Sequence, residues 1–477
     1  MHPVEIILWL PAVAMVLLVF IGNYRIGAAI NVVASGATFA AGVALLFVDR
    51  VRTDIFIIDD FNIYLVILTT FIGFTTSIFS ATYISHELEI GKLTPVFLRF
   101  YHALYQAMMA AMNLALVVNN VGLLWVGVEV ATLSTVMMVG IYRTPEAVEA
   151  AWKYFILGSV GIALAFFGTI LIYLVAQPVV GEGLPAMAWD TLLKNGAGFD
   201  AKLLSLAFVF LLVGYGTKVG IAPFHAWLPD AHAEGPTPIS AVLSGLLLNV
   251  ALYALLRFKM VLAANSETLD VGLIMICLGL ISLIFAAFML YRRRDIKRLF
   301  AYSSIEHMGI MTFAFGMGGP LANFAGLLHM TMHSLIKSAI FFAVGHIAQV
   351  KGTQRIALIR GLSVTHPVLA VGLAVGVIAI AGMPPFGMFL SEFMLVSTTF
   401  ARQPLLALAL VFGLLVAFGA LVLRMQDVLF GEPSGPTGGV KASYLPLFIH
   451  LALVLVAGLW LPEPVVRWFR AVAAQLG

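Results

Sequence analysis

Gly220-Ile221-Ala222-Pro223-Phe224-His225-Ala226-Trp227-Leu228-Pro229-Asp230 interrupts an apolar run that is otherwise long enough to cross a bilayer. Proline has no N–H to donate and its ring clashes with the preceding turn, so a broken helix is predicted here. A second segment, Gly382-Met383-Pro384-Pro385-Phe386-Gly387-Met388-Phe389-Leu390-Ser391-Glu392, repeats the arrangement. Both read Pro-Phe, two residues, an aromatic, Leu, one residue and an acid, at one constant offset. Backbone groups freed at membrane depth persist only beside protein or a watery cavity. Paired broken helices in two halves of a chain point to an ion site. The spacing implies two repeats of about five helices, flanked by extra helices at both ends.

Composition around these breaks excludes a soluble fold. The chain is 62% hydrophobic, against roughly 45–50% in soluble proteins, and 10% charged, against about 25%. Apolar runs fall at about 4–22, 26–48, 61–83, 101–119, 121–141, 154–177, 203–228, 238–257, 271–290, 299–316, 321–348, 367–396, 404–429 and 444–461. The expected fold is an all-α polytopic membrane protein with about fourteen transmembrane helices, the seventh and twelfth discontinuous. A barrel is excluded because the runs are continuous rather than alternating. The stretch after Met1 lacks a positive n-region, so the first helix is expected to be retained. With both termini outside, the inner loops, from Arg25 to Lys441, hold more Lys and Arg than the outer segments, among which Arg257 and Lys259 are counted, and the Arg292–Arg298 cluster dominates the difference. The assigned units are residues 1–100 (a three-helix flank), 101–260 and 261–430 (two repeats, helices 4–8 and 9–13) and 431–477 (a C-terminal helix). No loop is long enough for a soluble catalytic module, so any such module belongs to another subunit.

Several functions are unsupported. The single cysteine, Cys277, lies in an apolar run and reads as a buried, inert thiol; one thiol builds neither a disulfide nor an iron–sulfur cluster. A net charge of +3 spread over loops gives no nucleic-acid footprint. No Walker or dinucleotide-binding motif occurs. No cofactor or metal is expected in this chain.

The exceptions inside the spans carry the chemistry, because an ionisable side chain at the bilayer centre costs about 2.5–3.5 kcal/mol on insertion scales. Glu129 lies mid-span in Trp125-Val126-Gly127-Val128-Glu129, and Lys218 lies between Gly216 and Gly220, just before the first break. His329, His333 and Lys337 recur every fourth residue and so share one stripe of a helix. Neutral imidazole accepts a proton on one nitrogen and donates from the other, which suits a relay. The spacing suggests no third ligand that would make His329 and His333 a metal site. Glu392 follows the second break, and Asp230 is its counterpart after the first. Glu306 and His307, one or two turns into a span, are candidates for an aqueous entrance. His225, Asp230 and His232 are expected to cluster in the loop after the first break, as a secondary path or as a hydrogen-bonded scaffold.

Trp125-Val126-Gly127-Val128-Glu129, Thr217-Lys218-Val219-Gly220-Ile221-Ala222-Pro223-Phe224-His225-Ala226-Trp227-Leu228-Pro229-Asp230-Ala231-His232 and Asp295-Ile296-Lys297-Arg298-Leu299-Phe300-Ala301-Tyr302-Ser303-Ser304-Ile305 resemble the antiporter-like proton-pumping subunits of respiratory complex I. That family also includes subunits of membrane-bound hydrogenases and multisubunit Na+/H+ antiporters. Within it, Ser304-Ile305-Glu306-His307-Met308-Gly309 is most like component F of the hydrogenase-4 and formate hydrogenlyase type. The resemblance implies inverted five-helix repeats. It also implies that Glu129 is the buried acid of the fifth helix, Lys218 the pumping lysine of the seventh, Lys337 the lysine of the eleventh and Glu392 the terminal group of the twelfth. One departure stands out: Asn249 occupies the eighth-helix position where the family places a lysine or histidine, and an amide does not titrate.

The resulting expectation is a proton-translocating subunit in a bacterial or archaeal cell membrane, with no redox centre of its own. Its partners are further antiporter-like subunits and a hydrophilic redox arm of the NADH dehydrogenase or NiFe-hydrogenase kind. Charge rearrangement in that arm would separate Glu129 from Lys218, an attraction of roughly 3 kcal/mol at about 5 Å. The proton would then pass along His329, His333 and Lys337 to Glu392. Rival readings are a secondary Na+/H+ antiporter subunit, an energy-coupling subunit for inorganic-carbon uptake, and a non-conducting membrane scaffold supported by Asn249.

Overall fold

The computed structural model describes residues 2–439 and 443–477, with the side chains of 95–98 left out. Met1 and Lys441 lie outside the described residues. The described chain is almost wholly helical. In the N-terminal part run α1 (Pro3–Phe20), α2 (Tyr24–Ala44), α3 (Asp60–Glu89), α4 (Pro95–Val117), α5 (Val121–Val139), α6 (Pro145–Val180), α7 (Trp189–Asn195), α8 (Ala201–Val219), α9 (Leu228–Glu234), α10 (Thr237–Val242) and α11 (Leu248–Ala263). There follow α12 (Val271–Leu290), α13 (Ile296–Met317), α14 (Pro320–Lys351), α15 (Leu362–Thr365), α16 (Pro367–Ile380), α17 (Gly387–Arg402), α18 (Pro404–Phe430), α19 (Leu445–Leu459) and α20 (Glu463–Gln475). Every expected span contains helix.

Among the described residues, ten helical stretches are long and apolar enough to cross a membrane by themselves, or eleven if the bent pair α19–α20 is counted as one. The expected count of fourteen exceeds this number for physical reasons. α4 and α13 are long enough but carry His102, Gln106 and Asn113, and Glu306 and His307, all buried among other helices. α16 and α17 are the two short halves of a broken segment. A helix screened from lipid by its neighbours need not be apolar all round.

Both breaks occur where the prolines lie. α8 stops at Gly220, in a left-handed conformation (φ 77°) that glycine adopts without strain, and a turn through Ile221–Trp227 leads to α9. α16 stops at Ile380, Gly382 is likewise left-handed (φ 68°), and α17 begins at Gly387. Between α10 and α11, residues Leu243–Leu247 form a π-helical turn.

Close approach of small residues holds the bundle together, as expected where lipid offers no hydrophobic driving force. A Cβ on Gly279 of α12 would lie 2.6 Å from the Phe313 nitrogen of α13, and one on Gly161 of α6 would lie 2.7 Å from Thr217 of α8. α14 is the central post, packed against α3, α10, α13, α16, α17, α19 and α20. Exposed apolar surface is supplied by α1, α6, α12 and α18, where Phe20, Trp152, Phe288, Phe412 and Leu415 are exposed.

Three expectations need correction. Cys277 is exposed on α12 rather than buried, because this helix turns only one face inward. The C-terminal segment is two helices. α20 leaves α19 at 83° and is tied down by Trp468 Nε1 donating to the Asp60 carbonyl at 3.0 Å and by Asn323 donating to the Gly477 carbonyl at 2.6 Å. Arg257 and Lys259, counted among outer-loop charges, are buried in α11. Arg257 bonds Asp59 at 2.7 Å, donates through Nε to the Tyr253 hydroxyl at 2.9 Å and lies 4.1 Å from the Trp189 ring centre.

Candidate functional site

Lys218 is fully buried near the end of α8, and its ammonium lies 3.8 Å from the Glu129 carboxylate on α5. That separation makes an ion pair without a direct hydrogen bond. The sequence placed these residues on separate helices; the fold brings them together because α5 and α8 both pack on α6. Three residues frame the lysine. The Tyr154 ring centre is 5.8 Å from Nζ. Tyr154 stacks on Trp227 (4.2 Å between centres, 10° between planes), and Trp227 donates to the Thr217 carbonyl at 2.8 Å. Gly158 leaves the room the lysine occupies, since a Cβ there would lie 2.9 Å from Nζ. Thus the residues of the first break build one wall of the lysine site.

A second group of ionisable residues fills the interior around α14. Lys337, fully buried, donates to the Phe300 carbonyl at 2.9 Å, and Glu306 is a buried acid of the neighbouring α13. His329 hydrogen-bonds His307 of α13 at 3.0 Å through one ring nitrogen and Ser391 of α17 at 3.1 Å through the other. The His333 ring centre lies 5.6 Å from that of His307, and neither of its nitrogens has a partner in the structure. Glu392 packs against Gly382, and its carboxylate lies within 4.8 Å of ligand atoms of both His307 and His329. Glu306 and His307 are buried about three turns into α13, which starts earlier than the apolar run suggested.

His307, His329 and Glu392 form a set of three groups that could hold a metal, a possibility that the spacing of His329 and His333 did not suggest. One ring nitrogen of His307 and one of His329 are joined to each other by a hydrogen bond.

His225, Asp230 and His232 do not cluster. His225 packs against Phe285 with the rings tilted at 56°. Asp230 bonds Lys153 at 3.1 Å and Arg298 at 3.2 Å, tying α6, α9 and α13 together. His232 is fully buried and stacked on Phe341 at 4.9 Å. His225 lies in the turn before α9 while Asp230 and His232 lie on α9, so these side chains point in different directions.

Asn249 donates to the Gly245 carbonyl at 3.1 Å and to Ser334 of α14 at 2.6 Å. One turn earlier, Ser244 in the π turn meets Ser304 of α13 at 2.7 Å, and Ser304 donates to the same Phe300 carbonyl that receives Lys337. π turns frequently mark functional sites. Sequence reading missed these hydroxyls, together with Ser391 and Gly158; serine and glycine are common in membrane helices, and nothing local singles these out.

Residues 118–417 match the family described as NADH:quinone oxidoreductase/Mrp antiporter, TM. The chain is 59% identical over 460 residues to a hydrogenase-4 component F homolog of Methylacidiphilum infernorum, an alignment covering 96% of this chain and 97% of that protein. Its fold matches a chain of the membrane-bound sulfane sulfur reductase, an archaeal respiratory membrane complex, with TM-score 0.86 at 20% identity, covering 100% of this chain and 97% of that one. It also matches a chain of respiratory complex I from Thermus thermophilus, with TM-score 0.83 at 21% identity, over 100% of both.

Proposed function

Because the chain belongs to the NADH:quinone oxidoreductase/Mrp antiporter membrane family, we propose that it is a proton-translocating subunit of a respiratory or hydrogenase-type membrane complex. The observation that carries this reading is the pair of buried Lys218 and partly exposed Glu129, held at 3.8 Å without a direct hydrogen bond. At that distance and an effective dielectric of 20, the attraction is about 4 kcal/mol. A modest movement of Glu129 therefore changes the stability of the buried ammonium, and a buried ammonium without its counter-charge is driven to release its proton.

The proton then has polar partners in the second half of the chain. Lys337 and Glu306 form the next site, and His333, His307 and His329 lead on to Glu392. We assign relay chemistry to these imidazoles, with no resident metal, because the His307–His329 contact already is a proton-sharing contact. His225, Asp230 and His232 belong to the cytoplasmic coupling region in this reading. The termini lie outside, the membrane is that of a bacterial or archaeal cell, and residues 101–260 and 261–430 are the two repeats. Electron transfer resides in partner subunits, which form a hydrophilic redox arm beside further antiporter-like subunits.

A second reading, a non-conducting scaffold, draws on Asn249, which cannot titrate and whose amide is held by Gly245 and Ser334. One experiment separates the two. In proteoliposomes holding the assembled complex, Lys218→Ala is expected to abolish proton uptake coupled to electron transfer while the complex stays assembled. Undiminished uptake in that variant sinks the pumping role and favours the scaffold.

A further inference from the structure

The α12–α13 turn, the α14–α15 loop and the end of α18 enclose a cavity of about 1230 Å³ lined by seven arginines and three acids. The acids are already engaged. Glu234 bonds Arg298 at 3.1 Å, Asp427 lies 3.9 Å from Arg360, and Asp295 accepts from the Arg298 backbone N–H as the cap of α13. Arg293 is held by the Met289 carbonyl at 3.1 Å and by the Tyr302 ring at 4.5 Å. Arg292, Arg294, Arg355 and Arg424 remain, and among the described residues none of the four forms an ion pair.

Four unpaired guanidiniums brought together from three separate segments repel one another, in a chain only 10% charged. Such convergence favours an anion carrying more than one negative charge. All the lining cations are arginine, whose planar fork matches phosphate oxygens in pairs. The wall of the cavity also includes Leu423, which is 61% exposed, and the exposed apolar ladder Leu408, Phe412, Leu415 and Val422 continues from it down α18. A soluble anion has no use for that ladder, whereas acyl chains do.

We propose that this arginine socket binds a phospholipid whose headgroup carries two phosphates, with its chains lying along α18. Basic pockets between transmembrane helices are a recurring form of anionic-headgroup site. The site is separate from the ion path and does not depend on the pumping role.

The test uses the purified, assembled complex after extensive detergent washing. Wild type is expected to retain diphosphatidylglycerol at about one per copy of this subunit and to be thermally stabilised when it is added back. Phosphatidylglycerol at matched phosphate is expected not to replace it. The triple variant Arg292→Gln/Arg294→Gln/Arg355→Gln is expected to bind it on the order of 100-fold more weakly, with the arginine-to-lysine triple variant intermediate and serving as the folding control. Equal retention by wild type and the glutamine variant overturns the proposal. So does displacement of the lipid by free pyrophosphate at equal phosphate, which marks a site for soluble polyanions. Loss of a protein subunit with unchanged lipid content identifies an acidic protein segment as the occupant and likewise overturns it.

Discussion

The two halves of the molecule carry the same Pro-Phe break but place their charges differently around it. In the first half the lysine precedes the break on α8, pairs with one acid on α5, and is walled by the aromatic residue of the break itself. The acid after the break, Asp230, is spent on Lys153 and Arg298. In the second half the lysine sits on the continuous helix α14, and the acid after the break, Glu392, points toward the His307–His329 pair. The difference follows from helix length. α9 ends after seven residues and leaves Asp230 in reach of the cations of α6 and α13, whereas α17 runs for sixteen and carries Glu392 beside the buried imidazoles. Equal position in a repeat therefore does not mean equal environment.

This comparison can be broken most directly at the second lysine. If both halves carry the proton in series, Lys337→Ala is expected to lower coupled proton uptake by at least about 100-fold, the scale on which loss of one proton-transferring group is felt. Uptake that survives Lys337→Ala but not Lys218→Ala would confine translocation to the first half.

A change outside the ion path tests whether structural and functional charges are separable. Arg257→Gln leaves Asp59 in its pocket without its partner and is expected to cost about 3–5 kcal/mol in thermal unfolding, with uptake per electron unchanged in the folded fraction. Burial alone would raise the Asp59 carboxyl, but the Arg257 guanidinium and the backbone N–H groups of Asn62 and Phe61 hold it below its usual range. A lowered native value gives stability that is present above the unfolded carboxylate range and lost as pH falls through the native one. The gap between wild type and Arg257→Gln should therefore persist at pH 5–7 and shrink below about pH 4.

Smaller effects sharpen the picture of the first site. Gly158→Ala puts a methyl 2.9 Å from the Lys218 ammonium. Moving the ammonium by 1 Å weakens its attraction to Glu129 by about 1 kcal/mol, so uptake is expected to fall several-fold while assembly, read by size-exclusion chromatography, is kept. Asn249→Ala removes hydrogen bonds to Gly245 and Ser334, each worth about 1 kcal/mol. Uptake reduced no more than stability shows Asn249 to be a structural residue; a larger loss of uptake places it beside the water that carries the proton.

Much of this architecture was legible in the chain. The apolar runs located the helices and the prolines located both breaks, because lipid and missing N–H groups impose rules that act locally. The buried ionisable residues were also legible, since an ionisable group in an apolar run stands out by its cost. Pairing was not. Nothing near Glu306 and His307 shows that α13 starts before its apolar run and carries them to the interior, and nothing near Arg257 shows that its partner is Asp59, far away in the chain. His225, Asp230 and His232 lie within eight residues yet face three environments, because the chain turns at His225 and only then continues as the short helix that carries Asp230 and His232.

By itself, then, the sequence determined an all-helical membrane protein with two broken helices and a small set of charges inside the spans. Solvation by lipid constrains each segment individually, and that constraint is written in composition. Tertiary structure alone decided which charges meet: Lys218 with Glu129, Arg257 with Asp59, His307 with His329 and Glu392, and four arginines that form no ion pair among the described residues. Electrostatic contact depends on distance through space, and residues from distant segments are brought within a few ångströms only when the helices pack.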